Sequence, residues 1–296
     1  MSARFALGAL CIVATVAVWA GWYIVIRLGL TSNHLDVQDL AAVRFGVAGL
    51  LMLPVVWRRG LALDRLGWPG LIAIAVGGGA PFALLVGAGL VYAPVSHATA
   101  LTQGTVPLTV AIVAAIVLKE RVTGTAVIGY ALIVVGALMI GGISVSEVNS
   151  RETLGHLLFV AASVVWAGYT VALRKAKLEG LHAPALAAVA SLILYLPIYL
   201  LLRGERLLAA PLGDIVFQGL YQGVLTAILS LLLYSRGVAL IGASAAGAFV
   251  ALGPVIAALL AIVVLGDRID LHDWIAIAVI TAGVLLASGA VRLQRT

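Results

Sequence analysis

Aromatic residues that could bind a small ligand lie in the middle of two long apolar stretches. Trp19 and Tyr23 are four residues apart in the first stretch, and Trp166 and Tyr169 are three apart in the second. Each pair therefore shares one face of a helix. The two tryptophans lie near the centre of their stretches, which argues against an aromatic belt at a membrane surface. We interpret these side chains as the lining of a cavity; plain packing between helices is the alternative.

Hydroxyl and amide side chains form stripes in two further apolar stretches. Thr102 and Gln103 stand on one side of the first. Gln222 and Tyr234 belong to a series at steps of four in the second. Polar side chains in such stretches usually face a bundle interior or a watery cavity. A threonine can instead bond back to its own helix, but an amide needs other partners, so we predict that these residues contact substrate.

Three single residues complete the candidate binding set. Arg44 lies well inside an apolar stretch. A charged side chain is costly there, so we take it as functional by default. It could bind a carboxylate, or its long chain could extend to the nearby end of the stretch. Phe82 directly follows the run 77–81, GGGAP, which interrupts a helix as at a binding site or merely kinks it. His97 stands near the end of its stretch, where a structural role is the alternative.

Several functional classes lack their motifs. The sequence contains no G-x-x-x-x-G-K-[ST] loop for binding ATP, no H-E-x-x-H motif of zinc proteases and no T-V-G-Y-G filter of potassium channels. One cysteine, Cys11, rules out a disulfide framework, and no Cys/His cluster has metal-ligand spacing. We therefore predict that the chain is not an enzyme and uses no cofactor and no metal.

The composition indicates a membrane protein. Apolar residues are 63% of the chain and charged residues 10%, whereas soluble domains average about 45–50% and about 25%. A signal peptide would be an alternative for the first 25 residues, but their apolar run continues to about Gly29. Helices of about 20 residues cross a bilayer. Ten spans are predicted, an all-α integral membrane fold, at approximately 7–29, 38–57, 69–90, 94–117, 122–142, 155–175, 183–202, 212–236, 243–265 and 272–290.

The chain repeats itself at an offset of 147 residues. Matched pairs include Trp19 with Trp166 and Pro107 with Pro254. The chain is therefore predicted to be two repeats of five helices, 1–147 and 148–296, in one integral membrane domain. Because five is odd, the second repeat enters the membrane inverted, which is a common transporter architecture.

The distribution of basic residues predicts the orientation. With the N-terminus inside, 12 Lys or Arg residues lie on the inner side and 5 on the outer side, with Arg44 set aside. Both termini are then cytoplasmic. The net charge is +6, but the basic residues lie at the ends of the apolar segments and form no stripe. We therefore expect no nucleic-acid partner.

The apolar motifs resemble the EamA family of the drug/metabolite transporter superfamily. The resemblance rests on VWAGWYIVIRLGL, AAVRFGVAGLLMLP, the long run from ALTQGTVPLTV to GALMI, and AFVALGPVIAALLAIVVLGDRI. It implies ten helices, two inverted repeats, a central cavity and export of small metabolites, often amino acids, from the bacterial cytoplasm. The family's GER turn is replaced by Lys119-Glu120-Arg121 and by Gly266-Asp267-Arg268, for which we expect a structural role only.

Taken together, these features predict a bacterial inner-membrane exporter of small amphipathic metabolites. Amino acids, aromatic ones among them, are the expected substrates, moved by alternating access. The alternatives are an exporter of drugs or nucleotide sugars, and a membrane scaffold without transport. The expected partners are the substrate and the lipid bilayer, and the chain is expected to be a monomer.

Overall fold

The regular structure of the chain is helical throughout the part described here. A computed structural model describes residues 3–32, 34–122, 124–141 and 151–288. The predicted boundary between the repeats, at 147/148, lies outside these residues. The first half contains α1 (Ala3–Thr31), α2 (Val37–Arg59), α3 (Leu63–Gly78), α4 (Ala80–Tyr92), α5 (Val95–Thr102), α6 (Val106–Val117) and α7 (Gly124–Ile140).

The second half has more interruptions. It contains α8 (Arg151–Lys175), α9 (His182–Leu194), α10 (Leu196–Ala209), α11 (Leu212–Gln218), a π-helical segment (Gly219–Leu229), α12 (Ser230–Ile241), α13 (Ala243–Val250), α14 (Gly253–Leu260), a second π-helical segment (Ala261–Leu265) and α15 (Leu271–Ala287). The two π-helical segments were not predicted.

The candidate membrane spans fall where the apolar stretches predicted them. Within the described residues, seven helical stretches are long and apolar enough to cross a bilayer. Helices α9 and α10 form one further candidate, bent by 60° at Tyr195, just before Pro197. Two shorter apolar helices, Ala126–Ile140 and Leu271–Ala287, correspond to the predicted fifth and tenth spans. The total of ten spans stays a prediction.

Helices of one half pack mainly on helices of the other half, and the contacts follow the repeat. Helix α1 packs on α12 and α14, and its counterpart α8 packs on α3, α4 and α6. Helix α2 packs on its counterpart α9, and α7 on its counterpart α15. The helices of one half therefore pair mainly with those of the other, and the core lies between the halves.

Matched glycines allow two of these contacts. A Cβ on Gly8 would come within 2.4 Å of Ile241 on the helix that α1 packs against. A Cβ on Gly155, the repeat partner of Gly8, would come within 2.8 Å of Ala93 and 3.0 Å of the Gly89 carbonyl. Small residues let helix backbones approach closely in membranes. The repeat thus preserves the same close contact at both positions.

Charged side chains lie at the two ends of the helix bundle. Arg27 donates to the carbonyl of Leu90, which joins the end of α1 to the end of α4. At the end of α8, Arg174 pairs with Glu120 at 2.8 Å, in the turn after α6. The first pair belongs to the predicted outer side and the second to the predicted inner side. Which end faces the cytoplasm stays a prediction.

Candidate functional site

A cavity of about 200 Å³ lies between the two halves of the molecule. Most of its wall is apolar. Helices of both halves contribute to it, and its lining consists of Trp19, Trp22, Tyr23, Arg44, Phe45, Ala48, Gly78, Phe82, Thr102, Gln103, Val106, Trp166, Tyr169, Pro184, Ala188, Thr226, Ala227, Leu231 and Val250.

An unbroken row of aromatic rings forms part of this wall. Trp22 and Phe82 are stacked, with ring centroids 5.8 Å apart and planes inclined by 15°. Phe82 lies 5.0 Å from Trp166, and Trp166 lies 5.0 Å from Tyr169. The row runs from α1 through α4 to α8 and so crosses from one half to the other. Such a surface can bind an apolar body and, on its ring faces, a cation.

Arg44 brings a positive charge to the same wall. Its guanidinium carbon lies 4.6 Å from the ring centre of Trp22 and 5.4 Å from that of Phe45. Its Nε and Nη1 atoms are buried and have no hydrogen-bond partner among the described residues. Buried donors on a charged group are costly unless they are paired. An anionic group of a ligand is the natural partner for them.

Hydrogen bonds to the region 218–230 hold α1 in place beside the cavity. Trp22 donates its indole N–H to Gln222 Oε1 at 3.0 Å, and Trp19 donates to Ser230 Oγ at 2.9 Å. Gln222 Nε2 in turn donates to Gln218 Oε1 at 2.6 Å. Both indoles are thereby fixed with one edge bonded, while their rings face the cavity.

The glycine run at the end of α3 produces a break in the helix. Gly79 has an extended conformation, and α4 begins at the next residue. The freed N–H of Ala80 donates to Ser191 Oγ at 2.9 Å, so α9 replaces the missing helix bond. A Cβ on Gly79 would lie 2.5 Å from this Oγ. Gly78 and Phe82, on either side of the break, line the cavity. The run therefore both interrupts the helix and lies at the candidate site, the two alternatives left open by the sequence.

The matched prolines also begin helices after breaks. Pro107 lies in the first turn of α6, after the turn at 103–105, and Pro254 lies in the first turn of α14. The two broken spans place Gln103 and Val250 at equivalent positions along the chain, 147 residues apart. Both of these residues line the cavity.

Eight of the eleven candidate residues meet around this cavity. They are Trp19, Tyr23, Arg44, Phe82, Thr102, Gln103, Trp166 and Tyr169. The hydroxyl of Thr102 is buried without a hydrogen-bond partner in the described part of the chain. Binding of a substrate by these residues stays a proposal.

Three candidate residues lie elsewhere. Gln222 uses its amide for Trp22 and Gln218, and Tyr234 packs on Trp19 with ring centroids 5.5 Å apart. The stripe at steps of four therefore faces α1 and mainly joins two helices, although Thr226 of this stripe does reach the cavity. His97 lies apart from the cavity lining and contacts His156 and Asp273.

The remaining lining residues carried weaker signals in the sequence. Trp22 shares the aromatic face of α1, and Phe45 follows Arg44 directly, so both could have been included. Ala48, Pro184 and Ala188 have no chemical signal of their own. Their small side chains leave room for the cavity, and only the packing of α2 on α9 reveals this role.

The chain matches the model of the EamA-like transporter family in two segments, residues 6–142 and 153–289. The two segments start 147 residues apart, which is the offset of the internal repeat (153 minus 6). The family model therefore matches each of the two repeats once, in agreement with the helix packing.

Relatives with a similar length include proteins named as transporters. The uncharacterized transporter YyaM of Bacillus subtilis is 28% identical over 279 residues, covering 90% of this chain and 88% of the relative. The uncharacterized transporter YwfM of the same organism is 27% identical, with coverage of 86% and 85%. An uncharacterized transporter of Archaeoglobus fulgidus is 26% identical, with coverage of 94% and 96%.

A solved structure supports the fold along the whole chain. A protein crystal structure superposes with a TM-score of 0.56 at 20% identity, covering 95% of this chain and 96% of that one. At this identity the similarity concerns the fold alone. With the family model matching both halves, this multi-pass membrane protein belongs to the EamA-like transporter family.

Proposed function

We propose that this protein exports zwitterionic amino acids with aromatic or bulky apolar side chains across the bacterial inner membrane. Both termini lie in the cytoplasm, and the two five-helix repeats are inverted relative to each other. The cavity between them opens alternately to either side. The single observation that supports the substrate class best is the pair of unpartnered guanidinium nitrogens, Nε and Nη1, of Arg44 beside a row of aromatic rings.

The cavity offers a separate contact for each part of such a substrate. A carboxylate can accept charge-assisted hydrogen bonds from Arg44. The ammonium group can lie against the ring faces of Trp19 or Tyr23 and donate to Thr102 or Gln103. An apolar side chain can pack against Phe82 and its neighbours in the aromatic row.

The charge of the cavity argues against a nucleotide sugar. Arg44 is the one Lys or Arg among the described residues that line the cavity. A nucleotide sugar brings a diphosphate, which calls for several basic partners. A scaffold without transport would in turn need no cavity between the halves.

The packing between halves supports alternating access. The contacts of α1 with α12 and α14 have counterparts in those of α8 with α4 and α6. In an inverted repeat, these two equivalent sets form the two gates around one site. If the helices shift slightly at one gate and oppositely at the other, the cavity closes on one side of the membrane and opens on the other.

Counterflow in proteoliposomes tests the proposal. Purified protein is reconstituted, vesicles are loaded with phenylalanine, and entry of labelled phenylalanine is compared with entry of labelled phenethylamine and UDP-glucose. Phenylalanine should exchange, whereas phenethylamine lacks the carboxylate and should not. Arg44→Leu should reduce exchange about 10–100-fold, the loss expected for charge-assisted hydrogen bonds. Rapid exchange of UDP-glucose by monodisperse protein would contradict the proposal. Failure of monodisperse protein to exchange any amino acid would also contradict it.

A further inference from the structure

Two buried histidines meet a carboxylate near one end of the helix bundle. His97 Nδ1 on α5 lies 3.0 Å from His156 Nε2 on α8. Glu152 Oε1, one turn before His156, lies 3.1 Å from His97 Nδ1 and 3.7 Å from His156 Nε2. The three atoms thus form a compact triangle that joins the two halves of the molecule.

The fourth contact of this cluster fixes the remaining nitrogen of His97. Its Nε2 lies 3.0 Å from Asp273 Oδ2, in the first turn of α15. A neutral imidazole has one N–H. If His97 uses it for Asp273, its Nδ1 presents a lone pair to the Glu152 carboxylate at 3.1 Å. Two lone pairs at this distance repel each other, and a cation held between them would remove that repulsion.

We propose that His97, Glu152 and His156 bind a divalent transition-metal ion, with Asp273 orienting His97 through its Nε2–H. The donor set of two imidazoles and one carboxylate suits Zn²⁺. In a tetrahedral zinc site with bonds of about 2.0–2.1 Å, ligand atoms are separated by about 3.3 Å. The edges of the triangle, 3.0, 3.1 and 3.7 Å, bracket this separation.

The surroundings fit a three-ligand site with a protected interior. The imidazoles of His97 and His156 are largely buried, whereas the Glu152 side chain is 47% exposed. The exposed side gives an ion access and leaves room for water as a fourth ligand. A carboxylate that accepts from the second nitrogen of a ligand histidine is the usual arrangement around zinc.

The charges around the cluster favour a cation. Besides Glu152 and Asp273, Asp270 caps the same turn of α15 with a 2.8 Å bond to the Asp273 N–H. His272 lies 3.8 Å from the other oxygen of Asp273. Arg151, the neighbouring basic residue, is directed to the ring of Tyr92 at 5.6 Å.

This proposal departs from the expectation, drawn from the sequence, that the chain binds no metal. Glu152 and His156 are four residues apart and share one face of α8, a spacing that the sequence shows. His97 and Asp273 come from distant parts of the chain and join them only through the packing of α5 and α15. A bound ion would therefore connect three helices. On the proposed function, it would hold this end of the cavity closed.

Calorimetric titration of tag-free protein with Zn²⁺ tests the site without any transport measurement. The parent should bind one ion per chain, and Mg²⁺ should not compete. His156→Ala should lose the site, and Asp273→Asn should weaken binding about 10–100-fold. His34→Ala is the matched control, because His34 pairs with Asp214 at 2.8 Å outside this cluster and should leave binding unchanged.

A second variant covers the case in which His156→Ala fails to fold. Glu152→Gln changes a half-exposed ligand, keeps its size, and should weaken Zn²⁺ binding at least tenfold. Absence of binding to the parent at micromolar Zn²⁺ would overturn the site. Equal binding by the parent and Glu152→Gln would also overturn it. Zn²⁺ binding without inhibition of phenylalanine exchange would refute only the closing of the cavity.

Discussion

Lys119 and Gly266 stand 147 residues apart and share a left-handed backbone conformation, with φ angles of 56° and 71°. Each follows the last helix of a broken span, and each is the first residue of the turn that replaces the family's GER motif. The conformation explains why glycine belongs in this turn, since a Cβ is disfavoured at positive φ. The matched turns thus have one backbone shape although their residues differ.

This relationship predicts a stabilising substitution. Lys119→Gly should raise the stability of the protein by about 0.5–1 kcal/mol, because relief of backbone strain exceeds the added freedom of the unfolded chain. Gly266→Ala is the matched control and should lower stability by about 1 kcal/mol, since its Cβ would meet no atom and only the backbone is affected. Melting in detergent, followed by tryptophan fluorescence, measures both. A lower melting temperature for Lys119→Gly would show that the turn does not need glycine.

The aromatic row predicts a loss of transport without loss of fold. Trp166→Ala should reduce phenylalanine exchange at least tenfold, because Phe82 and Tyr169 would lose the ring between them. Trp57→Ala removes a tryptophan whose side chain is 86% exposed on α2 and should exchange like the parent. Counterflow of labelled phenylalanine measures both variants at equal reconstituted amounts. If Trp166→Ala exchanges like Trp57→Ala, the row has a packing role only.

The predicted orientation can be tested with single cysteines in a Cys11→Ser background. Gly213 is exposed at the start of α11, on the predicted outer side, and Arg65 is exposed on the predicted inner side. A membrane-impermeant thiol reagent added to whole cells should label Gly213→Cys and leave Arg65→Cys unlabelled until the cells are opened. The reverse pattern would place both termini outside.

The energetics of transport follow from the position of the acidic residues. The sequence places no Asp or Glu in the middle of a predicted span, and proton relays in transporters usually need one. Exchange should therefore be facilitated, without obligatory proton coupling. With equal phenylalanine on both sides of a proteoliposome, an imposed pH gradient should cause no accumulation. Accumulation that an ionophore removes would contradict this prediction.

The sequence by itself determined the helical class, the positions of the apolar spans and the repeat. These are properties of local composition and period: apolar runs of about 20 residues form helices in a bilayer wherever they stand. The offset of 147 residues reappeared in the family match and in the pairing of helices. The mid-span position of Trp19 and Trp166 predicted that they line a cavity, and both do.

Only the tertiary structure decided which polar side chain meets which partner. Gln222 and Thr226 belong to the same stripe, yet Gln222 bonds to Trp22 while Thr226 reaches the cavity. Both residues lie in the π-helical segment Gly219–Leu229, whose wider turn moves residues four apart off a common face, and the spacing in the sequence does not reveal this. The meeting of His97 with His156 depends in the same way on the packing of distant helices, because no local pattern specifies a contact between residues 59 positions apart.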